Sequence, residues 1–270
     1  MKVGWIGLGQ IGTQMVKRLC AAHFDVTVHP RGQGRAEAAA AGAMIAPDYA
    51  TLAADSDALF LCVYDEAQVE AVLFDEGTLA ALRPGSLLVI HTTASPQALR
   101  RIGKRADLAG IRLLDACFSG GPADVAAGQL TLMVGGAGET LERARPALES
   151  YAAHIDLVGG IGDGQTVKLL NNLLFATNLM NAAELLEMAL AQGLATSAVA
   201  PLLQRSSGGS YAMDLFARSG AAPEALMKSV RHYLEKDVAS AVTSARASGI
   251  DISAFAPTAS YFGILSSGIE

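Results

Sequence analysis

The residues best suited to chemistry lie in GDGQTVKLLNN, residues 162–172. There a glycine-rich opening runs into an apolar segment that carries Lys168, Asn171 and Asn172. On a helix Lys168 and Asn172 are four residues apart and share a face. A lysine in an apolar cleft can have its pKa lowered by desolvation and so hold or release a proton. A neutral amide one turn away can fix a hydroxyl or a carboxylate without adding charge. By itself the segment leaves a second reading open, a snorkelling lysine beside a helix-face amide.

Two further clusters offer binding chemistry. GLGQIG, residues 7–12, is a G-x-G-x-x-G that follows a strand-like run directly and opens a helix-like one. In that context Gly7 allows a tight turn, Gly9 lets a pyrophosphate approach the backbone and Gly12 lets the helix pack on the strand. The helix N-terminus then meets the phosphates with free N–H groups. About 20 residues on, an NAD site usually has an acidic residue for the ribose 2′-OH. Here VTVHPRGQGR has no carboxylate between Val26 and Arg35 but carries Arg31 and Arg35. A guanidinium suits a 2′-phosphate, which favours NADP with NAD possible; two solvated arginines are the alternative. The second cluster, DACFSGGPADV, begins at the end of a strand-like run, the edge at which open α/β sheets bind ligands. Ser119, Gly120 and Gly121 offer a hydroxyl and successive unobstructed N–H groups, a cradle for a carboxylate. A flexible turn chosen for its glycines is the competing reading.

The elements that must position these residues follow from periodicity. KVGWIG, DVTVHP, ALFLCVY, SLLVIHT, IRLLDAC, QLTLMVGG and HIDLVGG read as short strands bounded by Gly, Pro or Asp. Between them lie segments with apolar spacing of three and four. Strands alternating with helices predict a parallel, doubly wound sheet. After about residue 160 only helical patterns follow, with Pro223 and Pro257 placed at helix starts. The expected organisation is α/β: a dinucleotide-binding domain over 1–161, a long interdomain helix over 162–192 and an all-α domain over 193–270.

Composition excludes several classes. The 270 residues are 51% hydrophobic with a net charge of −6, mild and unsegregated, so a nucleic-acid surface is not expected. Cys20, Cys62 and Cys117 are odd in number and lack CxxC spacing, and the five histidines show no metal-ligand spacing. No metal site is expected, and the cysteines favour a reducing compartment. The N-terminus is too glycine-rich for a signal peptide, and Asn178, Asn181 and Glu184 interrupt the longest apolar run. A soluble, cytoplasmic protein is expected.

Taken in order, VGWIGLGQIGTQMVKRL, HTTASP, DACFSGGPADVAAGQLTLMVGG, GDGQTVKLLNNLL and EKDVASAVTSARASG resemble the β-hydroxyacid dehydrogenase family over nearly the whole chain. That family includes 3-hydroxyisobutyrate dehydrogenase and is related to 6-phosphogluconate dehydrogenase. The resemblance implies a Rossmann-type domain, a helical second domain, and an NADP-dependent oxidoreductase that interconverts a small β-hydroxy acid and its aldehyde or semialdehyde. It places Lys168 on the family's catalytic lysine and Asn172 on its partner. Ser119, Gly120 and Gly121 fall on the loop for the substrate carboxylate, and Thr93 and Lys236 on positions bordering nicotinamide and substrate. The cofactor loop is then Gly7, Leu8, Gly9, Gln10, Ile11 and Gly12, with Arg31 beyond the second strand and Val63 and Tyr64 along the ribose side. An imine reductase and a non-catalytic dinucleotide-binding module are the competing functions, and Lys168 counts against both. The apolar character of the 164–193 helix on more than one face implies a homodimer or homotetramer.

Four departures from the family pattern stand out. Cys117 and Phe118 replace Pro and Val beside the carboxylate cradle, and Pro30 replaces an Asn before Arg31. His91 stands where a small or acidic residue is usual. The sequence stops at SSGIE, about where the family continues into another polar, helical segment, so either this member is naturally shorter or the tail has been lost.

Overall fold

Aliphatic runs bounded by Gly, Asp or Pro form the strands in a computed structural model that describes residues 1–29, 31, 33–247 and 249–264. Pro30 and the terminal SSGIE therefore lie outside the described residues. The chain divides into two compact units, Met1–Lys168 and a second beginning at Leu169. Strands of the first unit are β1 (Lys2–Ile6), β2 (Asp25–Val28), β3 (Met44–Ile45), β4 (Ala58–Leu61), β5 (Leu87–Ile90), β6 (Arg112–Ser119), β7 (Leu130–Gly136) and β8 (Ala152–Gly159). Between them run α1 (Gln10–Ala21), α2 (Arg35–Ala40), α3 (Tyr49–Asp55), α4 (Glu66–Glu70), α5 (Thr78–Ala81), α6 (Pro96–Leu108), α7 (Pro122–Ala127) and α8 (Gly138–Leu148).

The strands form one sheet in the order β3-β2-β1-β4-β5-β6-β7-β8. The reversal of strand order beside β1 is the doubly wound arrangement that alternating strands and helices predict. Two details differ from the sequence expectation. β6 and β7 pair antiparallel, with Ser119 opposite Thr131 and Leu114 opposite Gly136. Residues 120–129 are too few for the dozen or more that a parallel crossover needs, so the chain turns back. β3 escapes detection because two residues carry no periodicity.

Strands buried on both faces explain the unbroken apolar runs. In β4, Ala58 and Phe60 face the layer that holds Met15 and Leu19 of α1, while Leu59 and Leu61 face Leu52, Leu99 and Ile102. Within the first layer sits a buried aromatic group. Trp5 stacks on Phe60 with ring centroids 5.5 Å apart, and His91 lies against Trp5, Phe60, Phe118 and Tyr151. His91 Nδ1 lies 2.6 Å from the Ala116 carbonyl oxygen, and Nε2 lies 2.9 Å from the Tyr151 hydroxyl. A carbonyl can only accept, so Nδ1 carries the proton and the Tyr151 hydroxyl donates to Nε2. The imidazole thus fills its place as a neutral, fully paired aromatic, which accounts for a residue that the sequence left unexplained.

In the second unit α9 (Asp163–Ala191), which starts inside the first, is followed by α10 (Thr196–Gln204), α11 (Tyr211–Ser219), α12 (Pro223–Ala247) and α13 (Ala256–Tyr261). Leu169, Leu173, Ala176, Leu179, Ala183 and Leu186 recur at three and four along α9 and pack into a core with Phe216, Leu234, Val238 and Phe262. Among the described helices, α9 is long and apolar enough by length and composition to cross a membrane. Its leucines, alanines and methionines outweigh the polar residues that were expected to break the run.

Burial drives the His91 pKa down to about 4 from its ordinary 6.5. Between those values the unfolded chain takes up a proton that the folded one refuses, so His91's contribution to stability falls as pH falls from 6.5 to 4. A His91→Phe variant lacks this dependence. Its deficit against the unchanged protein, measured by urea unfolding, should shrink by up to about 3 kcal/mol from pH 7 to pH 4. A deficit that does not vary with pH would contradict a neutral buried His91.

Candidate active site

The glycine loop joins β1 to α1. Gly7 has φ +106°, and a Cβ there would collide with the Cys62 carbonyl oxygen. A Cβ on Gly12 would collide with the Gly7 carbonyl oxygen. Gly9 differs: its φ is −76° and nothing lies within 4 Å of where its Cβ would stand. The fold itself does not demand glycine there, so the open space fits a group that must approach the backbone closely. Gly9 caps α1 without a side-chain hydrogen bond, which leaves first-turn N–H groups for an anion. The loop is held from below by Trp5, whose indole N–H donates to the Gly7 carbonyl at 3.0 Å. Gly34 N–H donates to the Leu8 carbonyl at 3.1 Å and so ties the segment after β2 to the loop. These features suit a dinucleotide pyrophosphate.

The neighbouring strand ends are tied in series. The Thr92 hydroxyl accepts from Val63 N–H at 2.9 Å and donates to the Val63 carbonyl at 3.1 Å. Gln165, wholly buried in the first turn of α9, donates through Nε2 to the Thr92 carbonyl and accepts from Ala94 N–H through Oε1, each at 2.9 Å. One amide therefore grips the backbone on both sides of Thr93. Asp115, wholly buried in the middle of β6, accepts from Gly162 and Gln165 N–H groups, each at 2.9 Å. Burial pushes its pKa up to about 6 against the downward pull of those two bonds. A Cβ on Gly135 or Gly164 would collide with the Asp115 carboxylate and with neighbouring backbone atoms.

Lys168 follows Gln165 by three residues on α9. It is half-buried, with Nζ 5.9 Å from the centre of the Phe118 ring. The lysine thus faces the end of β6, where Ser119 and Gly120 lead into α7. Gly120 has φ +126°, and Gly121 donates its N–H to the Asp124 carboxylate at 2.7 Å. The cradle expected from three successive residues is therefore narrower, because Asp124 caps α7 with one of its donors. Arg31 is exposed beyond β2, its guanidinium 5.9 Å from the Tyr49 ring centre and 3.8 Å from Glu76. Tyr64 is exposed beyond β4, its N–H donating to Gln68 at 3.1 Å.

In the second unit Asn172 is buried. Its Nδ2 donates to Asp237 at 2.6 Å, and its Oδ1 accepts from Asn171 at 3.0 Å. Lys236 Nζ lies 3.8 Å from the other Asp237 oxygen. The sequence reading missed Asp115, Gln165, Thr92 and Asp237. Each is a buried polar residue inside or beside an apolar run, and that mismatch was the available signal. No group of three or more His, Cys, Asp or Glu suited to a metal occurs among the described residues.

Comparison with known proteins bears on this geometry. Residues 2–160 match the family model described as the NAD binding domain of 6-phosphogluconate dehydrogenase. Residues 162–268 match that described as NAD-binding of NADP-dependent 3-hydroxyisobutyrate dehydrogenase. The chain belongs to the β-hydroxyacid dehydrogenase family. It is similar to an NAD-dependent L-serine dehydrogenase of Pseudomonas aeruginosa, 36% identical over 80% of this chain and 73% of that one. A 3-hydroxyisobutyrate dehydrogenase of the same organism is 33% identical over 79% and 72%. Among solved structures, a Mycobacterium tuberculosis 3-hydroxyisobutyrate dehydrogenase with L-serine superimposes with a TM-score of 0.85 at 27% identity, over 97% of this chain and 92% of that one. As a β-hydroxyacid dehydrogenase the protein is an NAD(P)-dependent enzyme acting on CH–OH groups.

In this member of the β-hydroxyacid dehydrogenase family, Gln165→Leu would strand the Thr92 carbonyl and the Ala94 N–H in a buried place. Stability should fall by about 1–3 kcal/mol, and the Ala94 amide should lose its protection from hydrogen exchange. Exchange at Ala94 that matches the unchanged protein would sink the clamp.

Proposed function

We propose that the protein is an NADP-dependent oxidoreductase interconverting a small β-hydroxy acid and its aldehyde or semialdehyde, with Lys168 as general acid/base. The observation that carries this is Lys168 Nζ lying over Phe118, at the strand edge that leads into Ser119 and Gly120. A substrate carboxylate held by the Ser119 hydroxyl and the Gly120 N–H has its alcohol end within the lysine's neighbourhood. Nicotinamide, when bound, supplies or takes the hydride. The chain must then hold the alcohol proton, bind the carboxylate and keep the two in register.

Each part has a residue. Lys168 gives up or takes the proton on the substrate oxygen. Asn172 keeps one N–H for the substrate after its bond to Asp237, and that bond fixes the orientation of the amide. Lys236 adds a cation for the carboxylate. Residues Gly7 to Gly12 receive the pyrophosphate, Val63, Tyr64 and Thr93 border the cofactor, and Arg31 meets the 2′-phosphate. The second family model's description, of an NADP-dependent enzyme, supports the cofactor preference. Cys20, Cys62 and Cys117 form no disulfide among the described residues, which suits a reducing, cytoplasmic setting.

The test follows NAD(P)H absorbance with a panel of small aldehyde-acids, NADPH and NADH in parallel. NADPH should be the better reductant, and Lys168→Ala should be slower by about two or more orders of magnitude. A Lys168→Ala variant as fast as the unchanged protein removes the lysine from the chemistry. Preference for NADH overturns the NADP preference.

A homodimer or homotetramer is part of the same proposal. On α9, Leu170, Leu174, Leu185 and Met188 are 62%, 55%, 50% and 59% exposed, an apolar set of the kind that a second copy covers. Light scattering should give twice or four times the monomer mass; a monomer would end this part of the proposal.

A further inference from the structure

The acidic residue that an NAD site asks for is absent from the sequence after β2, yet the fold places a carboxylate there. Glu76 follows a π-helical turn, Ala71–Asp75, that lies beyond β4 in the chain. Its carboxylate lies 3.8 Å from the Arg31 guanidinium. Arg31 is itself set on a platform: its N–H donates to His29 Nδ1 at 3.3 Å, and its guanidinium lies 5.9 Å from the Tyr49 ring, which stacks flat on His29 at 3.5 Å between centres. The Gly34–Leu8 bond keeps this segment beside the glycine loop. An arginine and a carboxylate therefore occupy the same end of the dinucleotide site.

These two groups ask for opposite ligands. A 2′-phosphate wants the guanidinium unpaired, because an adjacent carboxylate both neutralises it and repels the dianion. A ribose 2′-hydroxyl wants the carboxylate as acceptor. We infer that Glu76 is a specificity-determining residue of the cofactor site, one that acts by pairing with Arg31 and so lowers the preference for NADPH over NADH. The inference rests on the reading of Arg31 as the group that meets the 2′-phosphate. Both side chains are exposed, 76% for Arg31 and 45% for Glu76, so the pair adds little to folding. Its effect falls on the ligand that must compete with it.

The experiment titrates the full chain with NADPH and with NADH by calorimetry, in the unchanged protein and in Glu76→Gln, Arg31→Ala and the double variant. Glu76→Gln should raise the ratio of NADPH to NADH affinity about five-fold, the size expected of one exposed unit charge a few ångströms from another. In the Arg31→Ala background the same change should move the ratio by less than about two-fold. Where the unchanged protein prefers NADH and Glu76→Gln still raises the ratio, the NADP preference fails and the role of Glu76 stands. Where Arg31→Ala lowers the ratio but Glu76→Gln leaves it alone, Arg31 stands and the role of Glu76 is overturned. A gain of equal size with and without Arg31 also overturns it, since Glu76 would then act without its partner.

Discussion

The arrangement of the first unit turns on a buried carboxylate. Asp115 receives two backbone N–H groups from the start of α9, and Gln165, in that same turn, grips the backbone around Thr93. A free helix start would leave its first N–H groups to water and its direction to chance. Here the first turn is fixed to β6 by Asp115 and to the end of β5 by Gln165, and Lys168 follows three residues later with its angle already set. The Thr92 hydroxyl extends the ties to Val63, and the close approach of Gly7 to Cys62 extends them to the glycine loop. Three strand ends and one helix start thus behave as a single frame. Its members are paired buried polar groups, and breaking one leaves another unsatisfied.

A frame of this kind explains why bulky packing lies directly beneath it. The Trp5 indole supports the Gly7 carbonyl, and Trp5 is stacked against Phe60 and His91. His91 in turn is locked by Ala116 and Tyr151. Ala116 directly follows Asp115 on β6. The residue whose carbonyl locks His91 and the residue whose carboxylate anchors α9 are therefore adjacent positions of one strand. Rigidity near the cofactor and near the lysine has a common source.

Much of this was legible in the sequence, and the reasons differ from element to element. GLGQIG announces its own geometry because Gly7 and Gly12 answer local backbone demands, and alternating apolar runs betray a doubly wound sheet through their period. The reversal of β7 was recoverable only by counting the 120–129 connection, since its residues suit either direction. The two residues of β3 carry no pattern at all. Gln165 and Asp115 stand inside quoted motifs, yet their work is a pairing across some fifty residues of chain (|i−j| = 50) that no local pattern encodes. Glu76 is further removed: the acidic residue was sought after β2, where convention puts it, and the fold brings it from beyond β4.

The occupied N–H of Gly121 has a consequence for recognition. A carboxylate of two oxygens is well held by several converging donors, and three successive residues had promised a backbone cradle. Asp124 takes one of those donors to cap α7, a helix too short to hold its own start without help. On the proposed function the donors left for a carboxylate are the Ser119 hydroxyl and the Gly120 N–H, both neutral. Neutral donors can bond a carboxylate but cannot cancel its charge, so that reading asks for a cation nearby. Lys168 is a cation of the first unit that faces the same strand end across Phe118. On the proposed function the lysine has two tasks, holding the carboxylate-bearing substrate in place and handling its alcohol proton. The ties through Asp115 and Gln165 fix the backbone three residues before Lys168, which suits a single flexible side chain to both tasks.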